Sequence, residues 1–154
     1  MKKRGLCLIA LFMLTSIIFG CSDNKGEFDD KNIIFNVIET EETTEYQLYT
    51  IEISNKTGFD LTHLTLNLNY PIKTVNGSKS NPYTIAGETD GIRPINIKSG
   101  ETLTFSINAP IQEVFGNSDL LDFKNPNIRL QGYYKKEKEE IQFTISGGLN
   151  ALVK

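Results

Sequence analysis

The sequence predicts an all-β fold, an antiparallel sandwich of about seven short strands with one short helical segment, behind a signal peptide. Three observations predict it. Apolar residues recur at every second position through most of the chain after Asn32, turn-forming Gly and Asn punctuate those runs, and no amphipathic stretch is long enough for a major helix.

The chain opens on a segment built to be removed. Lys2, Lys3 and Arg4 form a positive start, and residues 6–19 form an apolar run broken only by Thr15 and Ser16 and followed by the small Gly20. That is the layout of a secretory signal, whereas a membrane-spanning helix needs roughly 20 apolar residues. Export follows, with residues 1–20 as the signal peptide.

"IFGC", residues 18–21, resembles the bacterial lipobox, with Ile18, Gly20 and Cys21 matching and Phe19 bulkier than the residue usual at its position. The resemblance implies that Cys21 takes a diacylglycerol on its sulfur, is acylated and becomes the first residue of the mature chain. It implies a lipoprotein held at the cell membrane on its extracytoplasmic face. Cysteine usage agrees, because the second of the two cysteines, Cys7, lies inside the segment that is lost. Acylation gives Cys21 a use, and two or more chains hold a protein at a membrane stably where one holds it reversibly.

Removing 20 of the 154 residues leaves 134, and losing three of 16 basic residues against 19 acidic ones moves the formal charge from −3 to −6. An acidic chain without clustered Lys and Arg is poor material for nucleic-acid binding. At this length one domain is expected, able to bury roughly two thirds of its unfolded surface without disulfides.

"SDNKGEFDDK", residues 22–31, is polar apart from Phe28 and reads, with Cys21, as a flexible tether over 21–31. The folded domain is expected over 32–154. Its strands show as alternation at Ile33, Phe35 and Val37; at Tyr49, Ile51 and Ile53; at Leu64, Leu66, Leu68 and Tyr70; at Leu103, Phe105 and Ile107; at Ile128 and Leu130; and at Ile141, Phe143 and Ile145. Period two with polar residues between gives each sheet one dry face and one wet face.

Turns are expected at "SNKTGFD", 54–60, and "IKSGET", 97–102, and the six charges of "KKEKEE", 135–140, suit a solvated hairpin tip. Residues 109–123 break the rhythm: Ile111, Val114 and Phe115 fall at helical spacing after Pro110 and stop at Gly116. A turn or two of helix capping one end of the sandwich is expected there. Residues 71–94, with three of the five prolines, read as a long irregular loop and as the first place to seek function.

Short strands with frequent turns suit a sandwich of immunoglobulin-like type. "YTIEISNKTGFDLTHLTLNLNYP", 49–71, with "SGETLTFSI", 99–107, resembles small sandwich domains of bacterial surface lipoproteins. The resemblance implies a fold and no reaction.

Chemistry is sparse. His63, the single histidine, lies out of phase with Leu64, Leu66 and Leu68 and should face solvent, so neither a catalytic triad nor a zinc site is expected. The acidic residues Glu39, Glu41, Glu42 and Glu45, and the pair Asp119 and Asp122, lack the spacing of a calcium loop. No catalytic, metal or cofactor residue is expected, and no enzyme activity. Binding to a protein or envelope partner remains, with Tyr83 and the pair Tyr133 and Tyr134 as candidate contacts, one of the pair pointing outward. The alternative is a small ligand carrier or hydrolase with a pocket between the sheets. It requires a solvent-accessible cavity lined by Asn or acidic groups.

Overall fold

The computed structural model describes residues 26–91 and 93–153, so the expected signal peptide over 1–20 and Cys21 lie outside the described residues. The chain is all-β and antiparallel. Strands β1 (Ile33–Glu42), β2 (Gln47–Asn55) and β7 (Thr102–Ala109) form one sheet in the order β1-β2-β7. Strands β3 (Leu61–Asn69), β6 (Ile85–Ala86), β8 (Asn127–Lys136) and β9 (Glu139–Gly148) form the other in the order β6-β3-β8-β9. A small hairpin of β4 (Ile72–Thr74) and β5 (Gly77–Lys79) stands apart, and α1 (Ile111–Phe115) and α2 (Leu149–Leu152) are single turns.

The two sheets share one core. Leu66, Leu68, Ile128 and Leu130 from one sheet, and Ile51, Ile53, Phe105 and Ile107 from the other, are at most 1% exposed. Register explains how the alternation becomes a face: Leu66 lies opposite Leu130, Leu68 opposite Ile128, Ile51 opposite Phe105 and Tyr49 opposite Ile107. Each apolar residue meets another across the ladder, and the polar residues between them turn to water.

Register also orients the molecule. Asn55 of β2, Thr102 of β7, Leu61 of β3 and Tyr134 of β8 lie at one end, here the base; Gln47, Ala109, Asn69 and Asn127 lie at the other, the crown. At the base, the fully buried Asn55 donates from Nδ2 to the carbonyls of Phe59 and Ile97, and its Oδ1 accepts from Thr57 N–H and Thr57 Oγ1. One side chain thus holds the 54–60 turn against the 97–102 turn.

The base reaches further back than the expected tether allows. Phe28 is half-buried and packs on Phe59, Tyr134 and Phe143, and a 3-10 turn over Asp30–Asn32 leads into β1. Phe28, inside the segment read as a tether, thus packs on the domain, because a lone aromatic in a polar segment meets an apolar gap that local composition does not reveal.

Three other features differ from the sequence reading. The loop at 71–94 contains the β4-β5 hairpin, whose two-residue turn is Val75-Asn76 before Gly77, and β6, which pairs with β3. The charged run at 135–140 belongs to the β8-β9 strands for most of its length, with Lys136 opposite Glu139 and Lys135 opposite Glu140, so opposite charges face each other across the ladder. A second turn of helix, α2, follows β9 and sets Val153 beside Phe35 of β1, covering the open side between the sheets. The helical segment after Pro110 forms as expected, and Gly116 stops it in the left-handed conformation with φ 58.

Candidate functional site

Among the described residues, the crown carries the largest collection of exposed apolar side chains. Tyr83 is 50% exposed, Val114 40% and Leu120 68%, around a recess of about 380 Å³ floored by Ile72, Phe115 and Leu121. Four separate segments build it: β4, the loop after β5, helix α1, and the stretch that follows α1.

Each segment is tied down. Asn81 is buried and its Oδ1 accepts the Tyr83 N–H at 3.0 Å, a short-range bond that shapes the loop. The Tyr83 ring stands edge-on to Phe115 at 5.3 Å, and Phe115 is edge-on to the fully buried Tyr70 at 5.6 Å. Phe123 completes the cluster, 4.9 Å from Tyr70 and 5.9 Å from Phe115. Leu120 is held from its backbone, because its carbonyl accepts Lys73 N–H at 2.8 Å while Asp122 N–H donates to Pro71 carbonyl at 2.9 Å. A bridge between Ile72 and Leu121 thus welds β4 to the segment after α1. The exposed rings and methyls sit on a fixed frame, which lowers the ordering cost of binding.

Below the crown, Gln47 is 7% exposed and its Oε1 accepts both Tyr49 OH at 2.7 Å and Tyr70 OH at 2.8 Å. Burial pushes the Tyr49 hydroxyl up to about 12 and pushes Tyr70 up as well. Both phenols stay protonated and donate to Gln47, which ties the start of β2 to the residue that follows β3. Tyr46, at the surface, is raised chiefly because its hydroxyl donates to the Glu41 carboxylate.

The other expected contacts separate. Tyr133 is 36% exposed, on the outer face, edge-on to His63 at 6.0 Å. Tyr134 turns the other way, into the base, where it stacks on Phe28. Tyr83 and the tyrosine pair are thus not one surface, since Tyr83 belongs to the crown and Tyr134 pairs with Leu61 at the base.

His63 is exposed, as its phase requires, but not as an ordinary strand residue. It occupies a bulge between Thr62 and Thr65 with φ 53, and Asn96 Oδ1 accepts its backbone N–H at 3.1 Å. Gly132 is what lets the bulge form, because a Cβ there would meet Leu64 Cδ2 at 2.6 Å and Thr62 carbonyl at 2.9 Å. His63 borders a second recess, of about 470 Å³, at the seam between the sheets. Asn67 and Glu88 line it, features the sequence pointed to only as a condition on the alternative reading.

Among the described residues no group of three or more His, Cys, Asp and Glu side chains could hold a metal ion, and no helix is long and apolar enough to cross a membrane. Glu39, Glu42 and Glu45 are exposed on or beside β1, and Asp122 Oδ2 accepts from Asn125 Nδ2 at 3.0 Å. Missed from sequence were Val114 and Leu120 as exposed partners of Tyr83. Their spacing matches a buried stripe, but α1 carries Val114 over the crown and the bridge between Ile72 and Leu121 sets Leu120 beside it. Compared with known proteins, the chain matches no family model and no curated relative.

Proposed function

We propose that this chain is a lipid-anchored binding module on the extracytoplasmic side of a bacterial cell membrane, an immunoglobulin-like sandwich that meets a protein or envelope partner through its crown. One observation carries the reading: Tyr83, Val114 and Leu120 are exposed together on a rigid aromatic frame, at the end of the sandwich opposite Phe28, where the described chain begins. An anchor on Cys21 would hold the base toward the membrane and present the crown outward. Apolar side chains grouped on a firm surface suit an interface core, with aromatic anchors supplying most of the affinity.

Two experiments test it. Intact-mass analysis of membrane-extracted protein should show a chain starting at Cys21 with added lipid mass; a chain starting there without it removes the anchor from the proposal. For the crown, cross-linking in the intact cell should join the wild type to a discrete partner. Leu120→Asp with Val114→Asp should abolish that product while the domain keeps its denaturation midpoint. Retention of the product would overturn the crown as the interface.

A second reading, a small-ligand carrier, is supported by the seam recess lined by Asn67 and Glu88. The inward faces of both sheets are apolar, so the polar groups it needs come from a strand edge and a loop instead.

A further inference from the structure

The outer edge of β3 is covered by one stretch of chain in two pieces. Residues 85–87 run antiparallel along it, with Gly87 N–H donating to Leu66 carbonyl at 2.7 Å; the chain then leaves, and returns where Leu64 N–H donates to Ile95 carbonyl at 2.9 Å. On the way Glu88 pairs with Ser106 of β7, so this stretch also ties the two sheets together along their seam. The recess of about 470 Å³ lies between β3 and the departing loop.

Its lining has two characters. Leu66, Phe105 and Ile95 lie beneath it, the first two at most 1% exposed and Ile95 half-buried, and Gly87 packs closely on the core there, since a Cβ would stand 3.2 Å from Leu66 carbonyl, 3.3 Å from Ile107 Cγ1 and 3.4 Å from Phe105 Cδ1. The rim carries Thr65 and Asn67 from β3, Glu88, Thr89 and Arg93 from the loop, and His63 at one corner. Glu88, Arg93 and His63 are exposed, so their polar groups can turn to a ligand. The bulge brings His63 to this corner, where its ring stands edge-on to Tyr133 of β8.

From this lining we infer that the seam recess binds a small neutral polyhydroxylated ligand, a carbohydrate of one or two sugar units. The inference rests on the ligand-carrier reading and names its ligand class. Glu88 and Arg93 cancel in formal charge, which gives no preference for an anion or a cation. The rim offers hydroxyl, amide and carboxylate acceptors together with hydroxyl, amide and guanidinium donors, as the hydroxyls of a sugar ring require, and the half-buried Ile95 suits its C–H face. The volume falls in the range of roughly 300 to 1,000 Å³ typical of small-ligand sites. A lipid tail would leave the polar rim unpaired, at a cost for each desolvated group.

Saturation-transfer NMR on the full-length chain extracted in detergent tests the assignment, with N-acetylglucosamine, maltose and cellobiose as neutral probes and glutamate and a glycine dipeptide as charged ones. At least one neutral sugar should receive saturation. Glu88→Ala and Arg93→Ala should each weaken its binding by at least about fivefold, the loss of one or two hydrogen bonds, while Lys138→Gln at the distant hairpin tip leaves it unchanged. Sugar binding that survives both loop variants overturns the site. Binding of the charged probes alone overturns the ligand class and keeps the carrier reading, and binding of no probe overturns both.

Discussion

Phe28 and Tyr134 lie ring on ring, with centroids 3.9 Å apart and planes within 1° of parallel. One ring comes from the polar segment ahead of β1 and the other from the far end of β8, 106 positions along the numbering of the sequence. The contact seals the base, where Phe59 and Phe143 complete the cluster. Whatever precedes Phe28 is joined to the domain without slack at that point.

Phe28→Ala should therefore destabilise the whole domain, although it lies outside every strand. Loss of a half-buried ring and of an aromatic pair should cost about 1 to 3 kcal/mol. Urea denaturation of the full chain checks it; a midpoint equal to wild type would show that the stack carries no stability.

Adjacent residues of β3 give a sharper contrast. Leu66 is 1% exposed and faces Leu130 across the ladder, while Thr65 is exposed on the other face. Leu66→Ala should cost on the order of 2 to 5 kcal/mol and Thr65→Ala well under 1, because only the first leaves a cavity. Equal losses would mean that the sheet is inside out.

Gly132 sits on the inward phase of β8, between Leu130 and Tyr134, where an apolar side chain would otherwise be expected. Gly132→Ala should cost roughly 1 to 3 kcal/mol, since the added methyl meets the Leu64 side chain and the fixed Thr62 carbonyl. Leu64→Ala in the same chain should recover part of the loss by making room, and a double-mutant cycle measures the coupling.

Alkali should unfold the domain through its buried phenols. The Tyr49 hydroxyl rises from its ordinary value of 10 to about 12, chiefly by burial, so its contribution is complete below pH 10 and is lost as the pH climbs toward 12. The sign follows from proton uptake: above that lower limit the unfolded chain releases its proton while the native chain keeps it, and stability falls with pH. Tyr70 acts in the same direction. Denaturation midpoints measured at several pH values above about 9 should fall less steeply for Tyr49→Phe than for wild type, and parallel slopes would refute the assignment.

Much of the fold was legible because it is written in short-range periodicity. The alternation at Leu64, Leu66, Leu68 and Tyr70 became the buried face of β3, and Pro110 and Gly116 bracketed the helical turn as their backbone preferences require. The β4-β5 hairpin turns on Val75-Asn76 and not on the Asn76-Gly77 pair, so the dipeptide signal in the sequence does not mark the turn that forms. Glu39, by contrast, extends the phase of Ile33, Phe35 and Val37 yet is exposed, because the register of β1 slips between Val37 and Glu39. A bulge depends on the partner strand, so β1 alone does not announce it.

The candidate sites were less legible. Tyr83 stood out as an aromatic in an irregular segment, but Val114 joins it through the placement of α1, and Leu120 through the pairing of β4 with the stretch after α1. The seam recess needs β3, the loop beyond Gly87 and β7 at once.

By itself the sequence determined the all-β class, the phase of each strand and the short helical turn, since these depend on residues within a few positions of one another. Tertiary structure decided which edges meet, where Phe28 docks, and how Tyr83, Val114 and Leu120 come to share a surface. Those outcomes depend on contacts between residues far apart in the chain, and their free energy lies in pairing and burial that no single segment contains.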